Sequence, residues 1–196
     1  MTNPAAPSRN LEIKVACGEE GLVAVTARLA RLGATVRERL AQVDTYFAVP
    51  TGRLKLRTIA SVHEDGEDGI TGPVVRAELI AYARGDAEGS RWSTYHLVPV
   101  APADADALRT ALLATIGPLV TVAKRRDIAI SGQTRIHLDR VEGLGAFVEL
   151  ETVVSTQGEA DATAEHRAVI AALGLDRWRA IPGSYSDLLR AAPPVR

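Results

Sequence analysis

The stretch RIHLDRVEGLGAFVELET, residues 135–152, decides the fold. Polar and apolar residues alternate on either side of a glycine-containing turn at 143–145, a pattern typical of a β-hairpin. Strand side chains point to opposite faces in turn, so the charged positions fall on one face of each strand. Those positions are Arg135, His137 and Asp139 on the first strand, and Glu149 and Glu151 on the second. If the two faces coincide, three carboxylates, an imidazole and a guanidinium share one small patch.

Length and charge limit the kind of protein. The 196 residues suit one sizeable domain, and a formal net charge of -1 with few aromatic residues is not typical of a nucleic-acid binder. The single cysteine, Cys17, excludes an internal disulfide and fits a reducing compartment. No apolar run has the length of a signal-peptide core or a membrane span. We therefore expect a soluble cytoplasmic protein without a membrane or nucleic-acid partner.

The rest of the chain has the pattern of strands with helices between them. We expect a disordered tail at 1–8 and a single domain at 9–190. Alternating segments predict about eight strands, and the short turns between most of them favour antiparallel pairing. The six strands before the hairpin are expected at about 10–15, 42–47, 53–57, 74–84, 91–100 and 119–130. Helical spacing predicts one helix after Gly18, one after Pro102 and one at 159–173, whereas the acidic stretch 63–73 is expected to be a solvated loop.

The charges separate by strand. Lys55 and Arg57 lie on one predicted strand and Lys124 and Arg126 on another, while the hairpin is mainly acidic. A half-exposed antiparallel sheet could leave such a face in water, which is a common arrangement. However, exposed faces ordinarily mix the two signs freely, and eight strands are expected to curl into a barrel. We therefore predict an α+β fold: an eight-stranded antiparallel β-barrel with helices packed on the outside and a charged lumen.

A charged lumen needs a ligand. Desolvating one unpaired ion costs several kcal/mol, so a cluster of buried charges persists only when pairing, water or a ligand balances it. Lysine and arginine hold phosphate oxygens, whereas carboxylates hold hard divalent cations such as Mg²⁺ or Mn²⁺. A polyphosphate bound with a divalent cation satisfies both walls, while an apolar cargo satisfies neither.

Several motifs in this order resemble the CYTH superfamily, the triphosphate tunnel enzymes that include class IV adenylate cyclase and thiamine triphosphatase. The resemblance covers nearly the whole chain, and the hairpin and the DTYF segment are closer to the class IV cyclase branch. The matching segments are NLEIK at 10–14, QVDTYF at 42–47, GRLKLR at 52–57, Glu78 with Tyr82 and Arg84, Lys124 with Arg126, the hairpin, and YSDLL at 185–189.

The resemblance implies a role for each matching position. Glu12, Glu149 and Glu151 would bind Mg²⁺ or Mn²⁺. The triphosphate would be held by Lys14, Lys55, Arg57, Arg84, Lys124 and Arg126, with His137 as a further ligand contact. Asp139 is the candidate general base, and Lys124 and Arg126 are grouped with it as catalytic. Asn10 stands where the superfamily signature has its first glutamate, which removes one negative charge and weakens the case for a second metal ion.

Three functions remain open at this point. The first is a class IV-type adenylate cyclase that converts ATP to cyclic AMP and pyrophosphate. The second is a triphosphatase that acts on inorganic triphosphate, thiamine triphosphate or a nucleotide. The third is a non-catalytic binder of nucleotide or polyphosphate. Either enzyme would bind a triphosphate as its partner, and the resemblance to the cyclases also suggests a homodimer.

Overall fold

The computed structural model describes residues 8–62, 72–84, 89–154 and 158–192, with the backbone alone at Ser8, Ser61 and Arg84. Eight strands close into an antiparallel barrel in the order β1-β5-β4-β3-β2-β6-β7-β8, which confirms the predicted fold. The strands are β1 (Ser8–Ala16), β2 (Val36–Phe47), β3 (Arg53–Ser61), β4 (Val74–Arg84), β5 (Arg91–Val100), β6 (Pro118–Ser131), β7 (Thr134–Val141) and β8 (Gly145–Val154). Because β1 pairs with both β5 and β8, the sheet has no free edge.

The predicted hairpin forms, and its register brings the two charged faces together. Strand β7 pairs with β8 so that Arg135 lies opposite Glu151 and His137 lies opposite Glu149. The charged positions of the two strands therefore share one face, and that face points into the barrel. The apolar positions between them point outward and need a cover.

Helices supply that cover. They are α1 (Gly18–Arg28), α2 (Ala105–Thr115), α3 (Glu159–Leu173) and α4 (Tyr185–Ala191). Helices α1 and α3 pack on β8, where Leu22 and Leu173 join the outward-facing Ile136, Val148 and Leu150 in one buried cluster. Each such side chain contributes about 1.5–3 kcal/mol when it is fully buried. The main hydrophobic core thus lies between the barrel wall and the helices, which leaves the lumen for polar groups.

A second apolar cluster closes one end of the barrel. The lumen-facing Tyr46, Val122 and Phe147 pack against Tyr185 at the start of α4, and the rings of Phe147 and Tyr185 meet edge to face at 5.0 Å. Ser184 caps α4 in a capping box with Asp187. We call the end of the barrel at α4 the closed end and the opposite end the mouth.

Polar contacts hold α4 in place. Asp187 forms an ion pair of 2.8 Å with Arg53 of β3. Arg91 of β5 donates to the carbonyl oxygen of Gly183 at 2.9 Å. Two strands of the barrel wall, β3 and β5 on either side of β4, therefore fix the segment that closes the barrel.

Two sequence predictions concern the limits of the described chain. Strand β1 begins at Ser8, and residues 1–7 lie outside the described residues, so the tail and the 9–190 domain bounds stay predictions. Residues 63–71 of the predicted acidic loop are also outside them. None of the described helices is long and apolar enough to cross a membrane.

Candidate functional site: a charged cavity inside the barrel

The barrel encloses a cavity of about 380 Å³. Each strand contributes alternate residues, because successive side chains point inward and outward in turn. Of the eleven predicted site residues, nine line the cavity: Glu12, Lys14, Lys55, Arg57, Lys124, Arg126, His137, Glu149 and Glu151. Cations from β3 and β6 thus face carboxylates from β1 and β8 across one enclosed space.

Asp44 on β2 organises one wall. This carboxylate is 2% exposed and accepts from Lys55 at 2.8 Å and from Arg57 Nε at 2.9 Å. Burial opposes its ionisation, yet Arg57 and Lys55 hold the pKa of Asp44 well below its ordinary value. Sequence reasoning gave Asp44 no role, although the alternation of Gln42, Asp44 and Tyr46 could have placed it in the lumen.

Arg126 on β6 organises the other wall. It donates Nε and Nη2 to the two oxygens of Asp139, at 2.6 and 2.5 Å, and Nη2 also reaches Glu149 at 2.8 Å. Such a two-point contact fixes the plane of the guanidinium as well as its position. Arg126 is therefore held rigidly with one edge toward the cavity.

Asp139 sits behind Arg126. It is fully buried, accepts from the Tyr185 hydroxyl at 2.8 Å, and is not among the described residues that line the cavity. Burial opposes its ionisation, but Arg126 and Lys124 hold its pKa well below the ordinary value. A carboxylate so committed is a poor proton acceptor. This placement favours a positioning role for Asp139 over the predicted role as general base.

Two lysines approach the closed end. Lys14 lies 3.9 Å from the ring centroid of Tyr185 and 3.1 Å from Glu149, and Lys124 lies 4.8 Å from the same ring. Burial, and then repulsion from Arg126, lowers the pKa of Lys124 to about 7. At neutral pH this lysine is therefore divided between its neutral and charged forms, and a bound anion would favour the charged form.

The acidic side of the cavity contains a group that could hold a metal ion. Ligand atoms of His137, Glu149 and Glu151 all lie within 4.8 Å of one another. Glu149 is ionised, since Lys14, His137 and Arg126 outweigh burial and keep its pKa well below the ordinary value. The hard oxygens and the enclosed setting fit a divalent cation such as Mg²⁺ or Mn²⁺. His137 was expected to contact substrate, but the structure groups it with these two carboxylates.

Two further residues lie next to this group: Glu12, the third predicted metal ligand, and Asn10, which stands where the family signature has its first glutamate. Glu12 lies opposite Glu151 in the β1–β8 register and lines the cavity, although it is not part of the three-residue group. Asn10 is 2% exposed, and its Oδ1 has no hydrogen-bond partner among the described residues. The remaining predicted ligand, Arg84, has its backbone in β4, but its side chain lies outside what the structure describes.

Apolar side chains line the cavity toward the mouth. Leu40, Ile59 and Ile128 follow the charged residues along β2, β3 and β6, and Leu97 and Ile130 are partly in solvent at 43% and 46% exposure. Sequence reasoning missed this feature, because isolated apolar residues on a charged strand face carry no distinctive signal. The opening is mixed, because the exposed Glu38, Arg76 and Arg135 lie opposite Ile128, Ile59 and Ile130 and also line the cavity.

Comparisons with known proteins agree with this architecture. The PH1012 protein from Pyrococcus horikoshii OT3 is 21% identical, with a TM-score of 0.66 over 91% of this chain and 98% of that one. A protein from Vibrio parahaemolyticus described as a candidate adenylate cyclase is 17% identical, with a TM-score of 0.62 over 92% and 97%. A chain of the Schizosaccharomyces pombe Mediator head module is 11% identical, with a TM-score of 0.60 over 85% and 95%. At these identities the likeness concerns the fold alone.

The comparison with family models is more specific. No curated protein matches the chain. The model of the CYTH domain, however, matches residues 8–185, which is most of the chain and includes the whole barrel and the start of α4. The closed eight-stranded barrel and its charged lumen agree with that match, and the protein therefore belongs to the CYTH family.

Proposed function

We propose that this protein is a metal-dependent class IV-type cyclase that converts a nucleoside triphosphate, with ATP as the first candidate, to the cyclic nucleotide and pyrophosphate. The observation that carries the proposal is the order of groups along the cavity. Lysines lie at the closed end, the acidic group with His137 follows, and at the mouth apolar side chains alternate with exposed charged ones. A nucleoside triphosphate has the same order, from terminal phosphate through the α-phosphate to ribose and base.

The cations suit a triphosphate. Lys14, Lys124 and Arg126 are all 4% exposed or less, so their interaction with phosphate oxygens would be little screened by water. Each of them is already paired with a carboxylate. Phosphate therefore has to compete with those carboxylates for the three cations.

Glu149 links metal binding to phosphate binding. Its Oε1 lies 3.1 Å from Lys14, and its Oε2 lies 2.8 Å from Arg126. If Glu149 held a cation, its ion pairs with Lys14 and Arg126 would weaken. These two side chains would then be available to phosphate. We therefore expect the divalent cation and the triphosphate to bind with positive cooperativity.

The apolar side chains at the mouth favour an organic triphosphate over inorganic triphosphate. Leu40, Ile59 and Ile128 have nothing to offer a phosphate, but they can bury a ribose edge or a heterocyclic base. Burial of apolar surface contributes roughly 25 cal/mol per Å². The terminal phosphate would then lie at the closed end and the base near the mouth.

This orientation brings the α-phosphate close to the acidic group. In the reaction the ribose 3′-oxygen forms a bond to the α-phosphorus, the bond from that phosphorus to the α–β bridging oxygen breaks, and pyrophosphate leaves. Lys14, Lys124 and Arg126 would stabilise the charge that develops on the leaving pyrophosphate. A bound Mg²⁺ or Mn²⁺ would supply Lewis-acid stabilisation of the reacting phosphoryl group. The 3′-hydroxyl proton passes to solvent in this scheme, since Asp139 is committed to Arg126.

A triphosphatase is the second candidate, and the crowding of cations at the closed end favours it. If Lys14, Lys55 and Lys124 surround the terminal phosphate, they could equally stabilise attack by water on the γ-phosphorus. The products would then be orthophosphate and a diphosphate. The same residues serve both reactions, so product identity decides between them.

The test is a product profile. Purified protein is incubated with ATP, GTP, inorganic triphosphate and thiamine triphosphate, with Mg²⁺ or Mn²⁺, and products are identified by mass spectrometry and ³¹P nuclear magnetic resonance. Cyclic nucleotide with pyrophosphate supports the cyclase, and orthophosphate release supports the triphosphatase. Glu149→Gln protein prepared in parallel controls for contaminating enzymes. Tight, metal-dependent binding without turnover of any of these compounds would instead identify a binding protein and overturn the proposal.

A further inference from the structure

His137 lies inside the cavity with an unused ring nitrogen. The residue is 3% exposed, and its Nδ1 is buried without a hydrogen-bond partner in the described part of the chain. The closest carboxylate oxygen to Nδ1 is Oε2 of Glu149 at 3.7 Å, and Nε2 lies 4.0 Å from Oε2 of Glu151. Both distances exceed those of a hydrogen bond.

An unused buried nitrogen calls for an explanation. Leaving a buried polar atom unsatisfied costs about 1–3 kcal/mol, and most such atoms in folded proteins find a partner. Here the imidazole ring lies beside two carboxylates, Glu149 on the Nδ1 side and Glu151 on the Nε2 side, and the ligand atoms of all three side chains lie within 4.8 Å of one another. Side-chain rotations that bring all three ligand atoms to about 2.0–2.2 Å from one ion would complete a metal site.

We propose that His137 is a nitrogen ligand of the metal ion at this site, together with Glu149 and Glu151, and that it biases the site toward Mn²⁺ and away from Mg²⁺. The inference rests on the proposed function, which places a divalent cation in the cavity. Imidazole suits first-row transition metals, whereas Mg²⁺ prefers oxygen ligands alone. Nδ1 is the coordinating atom, because it is the nitrogen without a partner. The ring proton then resides on Nε2, which lies 4.0 Å from Oε2 of Glu151.

The alternative is that His137 only fills space beside Glu149. The two roles differ in what they predict for metal selectivity. If His137 only fills space, its replacement should change the affinities for Mg²⁺ and Mn²⁺ equally, through its effect on Glu149. If His137 is a nitrogen ligand, its replacement should lower mainly the affinity for Mn²⁺.

Pulsed electron paramagnetic resonance of bound Mn²⁺ tests the assignment directly. The experiment uses the full chain with Mn²⁺ and inorganic triphosphate, which contains no nitrogen, so a directly coordinated ¹⁴N must come from the protein. We expect ¹⁴N coupling in the wild type, its loss in His137→Gln, and its retention in His96→Gln. His96 is an exposed histidine on β5 and is the matched control. Thermal melts of both variants establish that they are folded.

Calorimetric titrations of both metals complete the test. In His137→Gln the dissociation constant for Mn²⁺ should rise about tenfold or more, which is about 1.4 kcal/mol, while that for Mg²⁺ changes much less. Persistent ¹⁴N coupling in His137→Gln, an equal loss of affinity for both metals, or failure of the wild type to bind Mn²⁺ would overturn the assignment. The product profile does not depend on the ¹⁴N coupling or the metal affinities. Cyclic nucleotide formation without ¹⁴N coupling would therefore show a cyclase whose metal has only oxygen ligands.

Discussion

Replacing Lys124 with arginine should remove the contribution that this lysine makes to the pH dependence of triphosphate binding between pH 6 and 8. Lys124 is 4% exposed, and burial with repulsion from Arg126 lowers its pKa to about 7. The charged lysine binds phosphate, and rising pH removes that charge, so affinity should fall as the pH rises through 7. An arginine at this position stays charged throughout this range.

The size of the effect follows from the pKa. With a pKa of about 7, about nine-tenths of Lys124 is neutral at pH 8 and about one-tenth at pH 6. A bound triphosphate holds Lys124 in the charged form, so binding at pH 8 takes up about 0.9 proton at this residue. The same linkage makes the dissociation constant about tenfold larger at pH 8 than at pH 6, or about 1.4 kcal/mol.

Isothermal titration calorimetry with α,β-methylene ATP in the presence of a chelator measures both quantities. Proton uptake is obtained from titrations in buffers with different ionisation enthalpies. The terminal phosphate of the ligand also titrates in this range, but it does so equally for both proteins, so the difference between wild type and Lys124→Arg isolates Lys124. Lys124→Met, which has no charge at either pH, should bind more weakly than the wild type at pH 6 and show the same pH dependence as the arginine variant.

The outcome that refutes this reasoning is equal proton uptake by the wild type and Lys124→Arg. Lys124 would then be fully charged in the free protein, and burial beside Arg126 would not control its titration. Similar binding by Lys124→Met and the wild type at pH 6 would show that Lys124 does not contact the triphosphate.

Three further predictions concern the carboxylates and the closed end of the barrel. Glu149→Gln should reduce turnover of any active substrate by about 100-fold or more in steady-state assays, because it removes a metal ligand and charge, and its circular dichroism spectrum should stay native. Asp44→Asn should lower the free energy of unfolding by about 3–5 kcal/mol in urea titrations, since Lys55 and Arg57 lose their buried partner; an unchanged midpoint would contradict this role. Ser184→Ala removes the cap of α4 and should cost about 1 kcal/mol, with faster amide hydrogen exchange confined to α4.

The barrel and the residues that line it could be predicted because both depend on a local pattern. Alternation along each strand assigns a face to every residue, and this is how Glu12, Lys124 and Glu149 could be placed in one lumen before the structure was known. The helices that cover the outside follow from the same pattern, since the apolar face of the hairpin had to be buried. The family resemblance added the roles, which strand alternation does not provide.

The pairing inside the lumen could not be predicted, because it depends on contacts between residues far apart in sequence. Asp139 shares a strand face with His137, yet Tyr185, 46 residues later, covers it at the closed end and accounts for its absence from the cavity lining. Asp44 acquires its role from Lys55 and Arg57 on the neighbouring strand. The register of that pair and the position of α4 are tertiary information that alternation within one strand does not contain.

The most direct test of the account is a crystal structure of the protein with α,β-methylene ATP and Mn²⁺, with the metal located by its anomalous scattering. The account predicts the triphosphate inside the barrel with its terminal phosphate beside Lys14 and Lys124, Mn²⁺ on Glu149, and the base between the apolar residues at the mouth. A nucleotide bound on the outer surface, or a triphosphate in the barrel with the metal away from Glu149, would contradict it.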